Sequence, residues 1–144
     1  MGRILPPDIV AKRLQNGIQL SEMPPEVVVN DFLATLFTES TPKHVIKETA
    51  DIISGFHPAG MRAMLRAFAQ ADLRDVLPEI RIPTLLVYGD VDQRSPLHVA
   101  EALHDAIPAS RLIVIEGAGH LVNAEAPEIF NTEVQDFLRS IPPH

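Results

Sequence analysis

Residues Thr84–Pro96 read TLLVYGDVDQRSP, and Arg111–His120 read RLIVIEGAGH. Each opens with an unbroken run of β-forming apolar residues and reaches a glycine, Gly89 in the first and Gly117 in the second. Such runs, without polar alternation, predict strands buried on both faces. Between them, SPLHVAEALHDAIP (Ser95–Pro108) has helical spacing. Ser95 is the expected N-cap, Pro96 falls in the first turn, and Val99, Ala100, Leu103 and Ile107 are predicted to face inward. Beyond the second run, APEIFNTEVQDFLRSI predicts an amphipathic helix through Phe130, Val134, Phe137 and Leu138. Strand, helix, strand, helix with short connections implies two parallel strands joined by a right-handed crossover. Two strands are too few for a free-standing parallel sheet. The pattern therefore predicts an α/β fold in which these strands belong to a larger sheet.

The first half has another rhythm. PPDIVAKRLQNG predicts a helix entered through prolines and stopped at Gly17. PPEVVVNDFLATLF places Val29, Phe32, Leu33, Leu36 and Phe37 on one helical face. TPKHVIKETADIISGF has Thr41 as its expected cap, a stripe of Val45, Thr49, Ile52 and Phe56, and Ile46, Ala50 and Ile53 beside it. MRAMLRAFAQA repeats the pattern through Met61, Met64, Leu65 and Phe68. The expected division is a helical region over 1–78 and an α/β segment over 79–144.

Composition narrows the function. The chain of 144 residues has 12 Lys and Arg against 19 Asp and Glu, a net charge of −7 that disfavours nucleic-acid and anionic-membrane partners. Zero cysteines exclude disulfides, thiolate catalysis and cysteine-based zinc sites. A mean hydropathy of +0.10 is ordinary for a soluble chain, and no apolar run approaches the about 18 residues of a membrane span. The start MGRILPPDIV has no signal-peptide plan and matches a myristoylation signal poorly, so the expected location is cytoplasmic.

In open α/β sheets, ligands bind beyond the carboxyl ends of the strands. Here those ends carry Asp90 and Asp92 in one loop and His120 in the other. Asp92 and His120 are 28 residues apart, room for one helix and one strand, so the two loops should lie side by side. An aspartate that accepts the Nδ1–H of a histidine fixes its tautomer and stabilises the imidazolium formed in base catalysis.

These segments resemble the C-terminal part of the α/β-hydrolase-fold family, in its esterase, lactonase and 3-oxoadipate enol-lactonase-like branch. The family's acid loop, Gly-x-x-Asp-x-x-x-Pro, is matched by Gly89, Asp92 and Pro96, and its Gly-x-Gly-His turn by Gly117, Gly119 and His120. The downstream EAPEIF matches through Glu125, Pro127, Glu128 and Phe130. The resemblance implies a partial α/β-hydrolase fold: a helical cap, then the last two parallel strands of the family's sheet with flanking helices. It makes Asp92 the orienting acid and His120 the general base, with no cofactor and a small-molecule ester or lactone as substrate.

The family's nucleophile stands in a Gly-x-Ser-x-Gly turn. Among Ser21, Ser40, Ser54, Ser95, Ser110 and Ser140, only Ser54 precedes a glycine, and Ile52 stands where the first glycine belongs. The histidine–glycine oxyanion loop has no match either. The expectation is therefore a base and its acid without their serine, and an inactive isolated chain. A module that self-associates, or that pairs with a missing N-terminal half, is the alternative from another class. A haloperoxidase-like protein or a carbon–carbon bond hydrolase would use the same pair.

Other residues have plainer readings. Asp90 is expected to be a loop residue; His44 and His57 surface or helix-end residues; His98 and His104 solvated; and His144 a tail residue. No two histidines have convincing metal-ligand spacing, so no metal is expected. Met23, Met61, Met64 and Phe68 read as core rather than as an apolar substrate pocket, and Arg62 with Arg66 as a solvated face.

Overall fold

The computed structural model describes residues 6–142. His144 and the Met1–Gly2 start, with its myristoylation reading, lie outside them. Four helices come first: α1 (Pro7–Leu20), α2 (Pro25–Leu36), α3 (Lys43–Ser54) and α4 (Pro58–Gln70). A short 3₁₀ turn at Leu77–Glu79 leads into β1 (Thr84–Gly89), α5 (Leu97–Ala106), β2 (Ser110–Ile115), α6 (Val122–Glu125) and α7 (Pro127–Ser140). The strands pair in parallel, in register from Thr84 opposite Ser110 to Gly89 opposite Ile115. No described helix is long and apolar enough to cross a membrane.

Prolines open α1, α2, α4 and α7 in the first turn, where their fixed φ suits the helix and their missing N–H removes no bond. At α4, the N-cap is His57, whose Nδ1 accepts the Ala59 N–H at 3.2 Å. Three expected helix boundaries are corrected. Helix α1 does not stop at Gly17 but runs on to Leu20. A Cβ at Gly17 would lie 2.8 Å from the Leu65 side chain, so this glycine admits α4 against α1. Neither Thr41 nor Ser95 caps a helix; the N-caps are Pro42 and Pro96. The Thr41 hydroxyl instead donates to the Glu125 carboxylate, a charge-assisted bond stronger than a neutral cap.

Two apolar clusters hold the chain. Val28, Leu36, Ile53 and Met61 are buried among the first four helices, with Leu20, Phe32, Leu33 and Leu65 against them. Phe32 meets Phe56 edge to face, with ring centroids 6.1 Å apart. The inward side of α3 centres on Ile53. Ile52, placed on the main stripe by periodicity, is 67% exposed. On α4, Met61 is core while Met64 and Phe68 are exposed, so the core reading of the methionine set holds for Met61 alone. The second cluster joins Ile115, Ala118 and Val122 to Val87, Ile113, Ala126 and Phe130. On α5, Val99, Ala100 and Ile107 are buried as expected, and on α7, Phe130 turns in while Leu138 is exposed.

The strands are not buried on both faces. Only their last residues, Gly89 and Ile115, are fully covered, and Val114 is 41% exposed. Each strand has one hydrogen-bonded neighbour among the described residues, which leaves one edge of each open. The architecture is α/β, with a two-stranded parallel sheet and its helices forming a partial fold.

Candidate active site

The two loops meet at the carboxyl ends of β1 and β2. Gly89 makes this approach feasible: a Cβ there would fall 2.0 Å from the Ala118 carbonyl oxygen. The Asp90 N–H donates to Ile115 O and the Val91 N–H to Ala118 O, each at 3.2 Å. Asp90 is a loop residue with a structural task, since its Oδ1 accepts the Gly117 N–H at 2.7 Å. Gly117 has φ of 72°, a conformation that costs other residues strain, and it turns the chain out of β2.

On that frame Asp92 Oδ2 lies 2.8 Å from His120 Nδ1. The other carboxylate oxygen, Oδ1, accepts the N–H groups of Arg94 and Ser95, both at 2.8 Å. The acid is thus oriented by its own loop before the histidine is added. The side chain of Asp92 is 3% exposed and that of His120 is 26% exposed. A carboxylate accepting at Nδ1 places the proton there and leaves the Nε2 lone pair for a base. Nε2 has no hydrogen bond among the described residues, and the exposed part of the ring can meet a reacting group.

Residues that the sequence reading passed over complete the site. Glu125 Oε2 accepts the Gly119 N–H at 2.7 Å, and its Oε1 accepts the Thr38 N–H at 2.8 Å and the Thr41 hydroxyl. The His120 N–H donates to Leu36 O at 3.1 Å. Arg94, next to the acid, stacks its guanidinium 4.6 Å from the Phe32 ring centroid and donates to Thr35 Oγ1 at 2.9 Å. Burial pushes its pKa below the ordinary arginine value, opposed by the negative charge of Asp31. Glu125 stood within a matched motif, yet nothing local pointed to partners more than eighty residues away. Ser95 Oγ is buried without a partner among the described residues.

The remaining sequence candidates lie elsewhere. His44 and His98 are exposed, and His104, near the end of α5, bonds Ser110 at the start of β2. Arg66 is exposed and Arg62 partly so. Met23 and Met61 line a cavity of about 40 Å³ among the helices. That suits about one water and no ester substrate. No group of three or more His, Asp or Glu fit to hold a metal occurs among the described residues.

Comparison with known proteins identifies the fold family. Residues 53–127, just over half of the chain, match the alpha/beta hydrolase fold family. The chain belongs to that family. Among curated relatives, a pimeloyl-[acyl-carrier protein] methyl ester esterase of Neisseria meningitidis is 34% identical over 84 residues, which are 58% of this chain and 27% of the relative. A thermophilic esterase from Thermogutta terrifontis superposes with a TM-score of 0.81 at 29% identity, covering 94% of this chain and 51% of the other. The enol-lactonase of Burkholderia xenovorans shares the fold, with a TM-score of 0.81 at 23% identity over 93% of this chain and 51% of that one. The chain thus spans about half of these solved structures and less of the curated relatives. These three relatives are esterases and a lactonase, all hydrolases.

Proposed function

We propose that this chain carries the acid and base of a serine hydrolase acting on a small-molecule ester or lactone. His120 is the general base, Asp92 orients it, and the serine comes from residues outside these 144. The observation that carries the reading is the 2.8 Å contact between His120 Nδ1 and the dry carboxylate of Asp92. In the reaction, His120 Nε2 takes the serine proton as the oxygen attacks the acyl carbon, then returns it to the leaving alkoxide. The same nitrogen activates water to release the acid. Asp92 stays ionised and stabilises the imidazolium formed at each stage. The esterase relatives support this class of substrate, and residues 1–78 serve as the cap over the site.

The test is turnover of short p-nitrophenyl esters. The chain 1–144 is expected to be silent. A protein extended by its in-frame upstream coding region, with a Gly-x-Ser-x-Gly turn, is expected to be active and to lose activity in His120→Ala. Serine-dependent turnover by 1–144 overturns the placement of the nucleophile. Undiminished kcat in His120→Ala of the extended protein overturns the base.

One observation favours a companion reading. The outer edge of β1 has no neighbour among the described residues, and open, half-buried strands invite pairing. Another copy, or a separate N-terminal chain, covers that edge in this reading. Sedimentation of 1–144 at micromolar concentration is expected to show association. A well-folded monomer removes this reading and leaves the catalytic one standing.

A further inference from the structure

Glu125 ends the short helix α6, and its carboxylate bonds no backbone group of that helix. It reaches three donors instead: the Gly119 N–H six residues before it, and the Thr38 N–H and Thr41 hydroxyl, 87 and 84 residues away. Thr38 and Thr41 belong to the turn between α2 and α3, whereas Gly119 immediately precedes His120. No cation pairs with Glu125 among the described residues, so these three dipoles are the groups that hold its charge there. A buried or half-buried carboxylate held in this way is sensitive to donor position, because each bond is charge-assisted and directional.

Neighbouring contacts run the same way. The His120 N–H donates to Leu36 O, at the end of α2. Leu121 packs against the helical cluster, while Val122 is buried in the sheet cluster. The segment Gly119–Val122 therefore bridges the two apolar clusters, and Glu125 fastens that bridge to the helical side. A Cβ at Gly119 would lie 2.9 Å from Glu125 Oε2 and 3.2 Å from Leu36 O, so the fit is close.

We propose that Glu125 is a positioning residue that couples the α2–α3 turn to His120, so that the placement of the helical region sets the geometry of the imidazole against Asp92. It touches no reacting atom; it acts through Gly119 and the backbone of His120. This rests on the reading of His120 as the base, but its test needs no turnover. Failure of the esterase assay and failure of this coupling are therefore separate results.

The test is NMR of isotopically labelled 1–144 at one fixed pH, comparing the native sequence with Glu125→Ala, Glu125→Gln and Thr41→Val. Two signals are read: the His120 Nδ1–H proton with its ring nitrogen shifts, and amide exchange at Thr38, Gly119 and His120. The amides of Arg94 and Ser95, bonded to Asp92 within the acid loop, are the internal control. Glu125→Ala is expected to abolish or broaden the Nδ1–H signal and speed exchange at Gly119 and His120 about tenfold, with Arg94 and Ser95 unchanged. Glutamine has one acceptor oxygen in place of two, so Glu125→Gln is expected to free the Gly119 N–H or to leave the Thr38 N–H with Thr41 Oγ1 alone. Thr41→Val, which removes one hydroxyl and keeps the shape, is expected to give a smaller change of the same pattern. Native His120 signals in folded Glu125→Ala overturn the proposal. If that variant unfolds, Thr41→Val and Glu125→Gln decide: unchanged His120 signals in both overturn it, and selective change at Gly119 and His120 supports it.

Discussion

The acid loop and the histidine loop leave adjacent strands at the same edge, yet they are held in opposite ways. Asp92 is fixed by N–H groups two and three residues further along, within one turn of chain. His120 is fixed from outside its loop, by Leu36 O, by Asp90 through Gly117, and by Glu125 through Gly119. Asp92 is positioned by local structure and His120 by tertiary structure. A carboxylate needs only two N–H groups to aim it, which a turn supplies. An imidazole that must meet both the acid and a reacting group needs its backbone set in three dimensions.

The strongest way to break this contrast is at the pair itself. In a serine-bearing extended protein, Asp92→Asn is expected to lower kcat about 10⁴-fold, since an amide no longer enforces the Nδ1–H tautomer. Ester hydrolysis checks it, and a loss under about tenfold removes the orienting role. Next, Gly89→Ala drives a methyl into the Ala118 carbonyl. It is expected to destabilise the fold by about 3 kcal/mol or more, because backbone rather than a side chain must yield. Urea unfolding measures it.

A sharper test separates the two loops. Leu36→Ala removes a buried side chain from the helical cluster but keeps the carbonyl that holds His120. The expected cost is about 2–4 kcal/mol, with exchange raised at His120 and unchanged at Arg94 and Ser95. Equal change in both loops would dissolve the contrast. The smallest effect is expected at Gly117→Ala, where space is open and only the positive φ resists. About 1–2 kcal/mol is expected by the same unfolding measurement.

What was legible in the sequence follows the same divide. The strands announced themselves as apolar runs bounded by proline and glycine, and Asp92 with His120 as residues at fixed distances from those glycines. Each of these signals is local. Gly17 and Thr41 misled because ordinary local rules were overridden from afar: Leu65 explains the glycine and Glu125 takes the threonine hydroxyl. Glu125 itself lay in plain view without a role, since its meaning depends on Thr38, 87 positions earlier. The strands' half-exposure was missed because an apolar run records what a strand is suited to face, not what lies against it.

The span between Thr38 and Glu125 also carries a consequence in time. Closing the Asp92 turn requires bringing together atoms two or three residues apart, whereas the Thr38–Glu125 bond closes a loop of 87. Chain entropy rises with loop length, and contacts distant in sequence slow folding. In refolding followed by pulse-labelled hydrogen exchange, the amides of Arg94 and Ser95 are expected to gain protection before those of Gly119 and Thr38. Asp92 is then in place early, and His120 is set only when the helical region has docked, so the imidazole is the last part of the pair to be aimed.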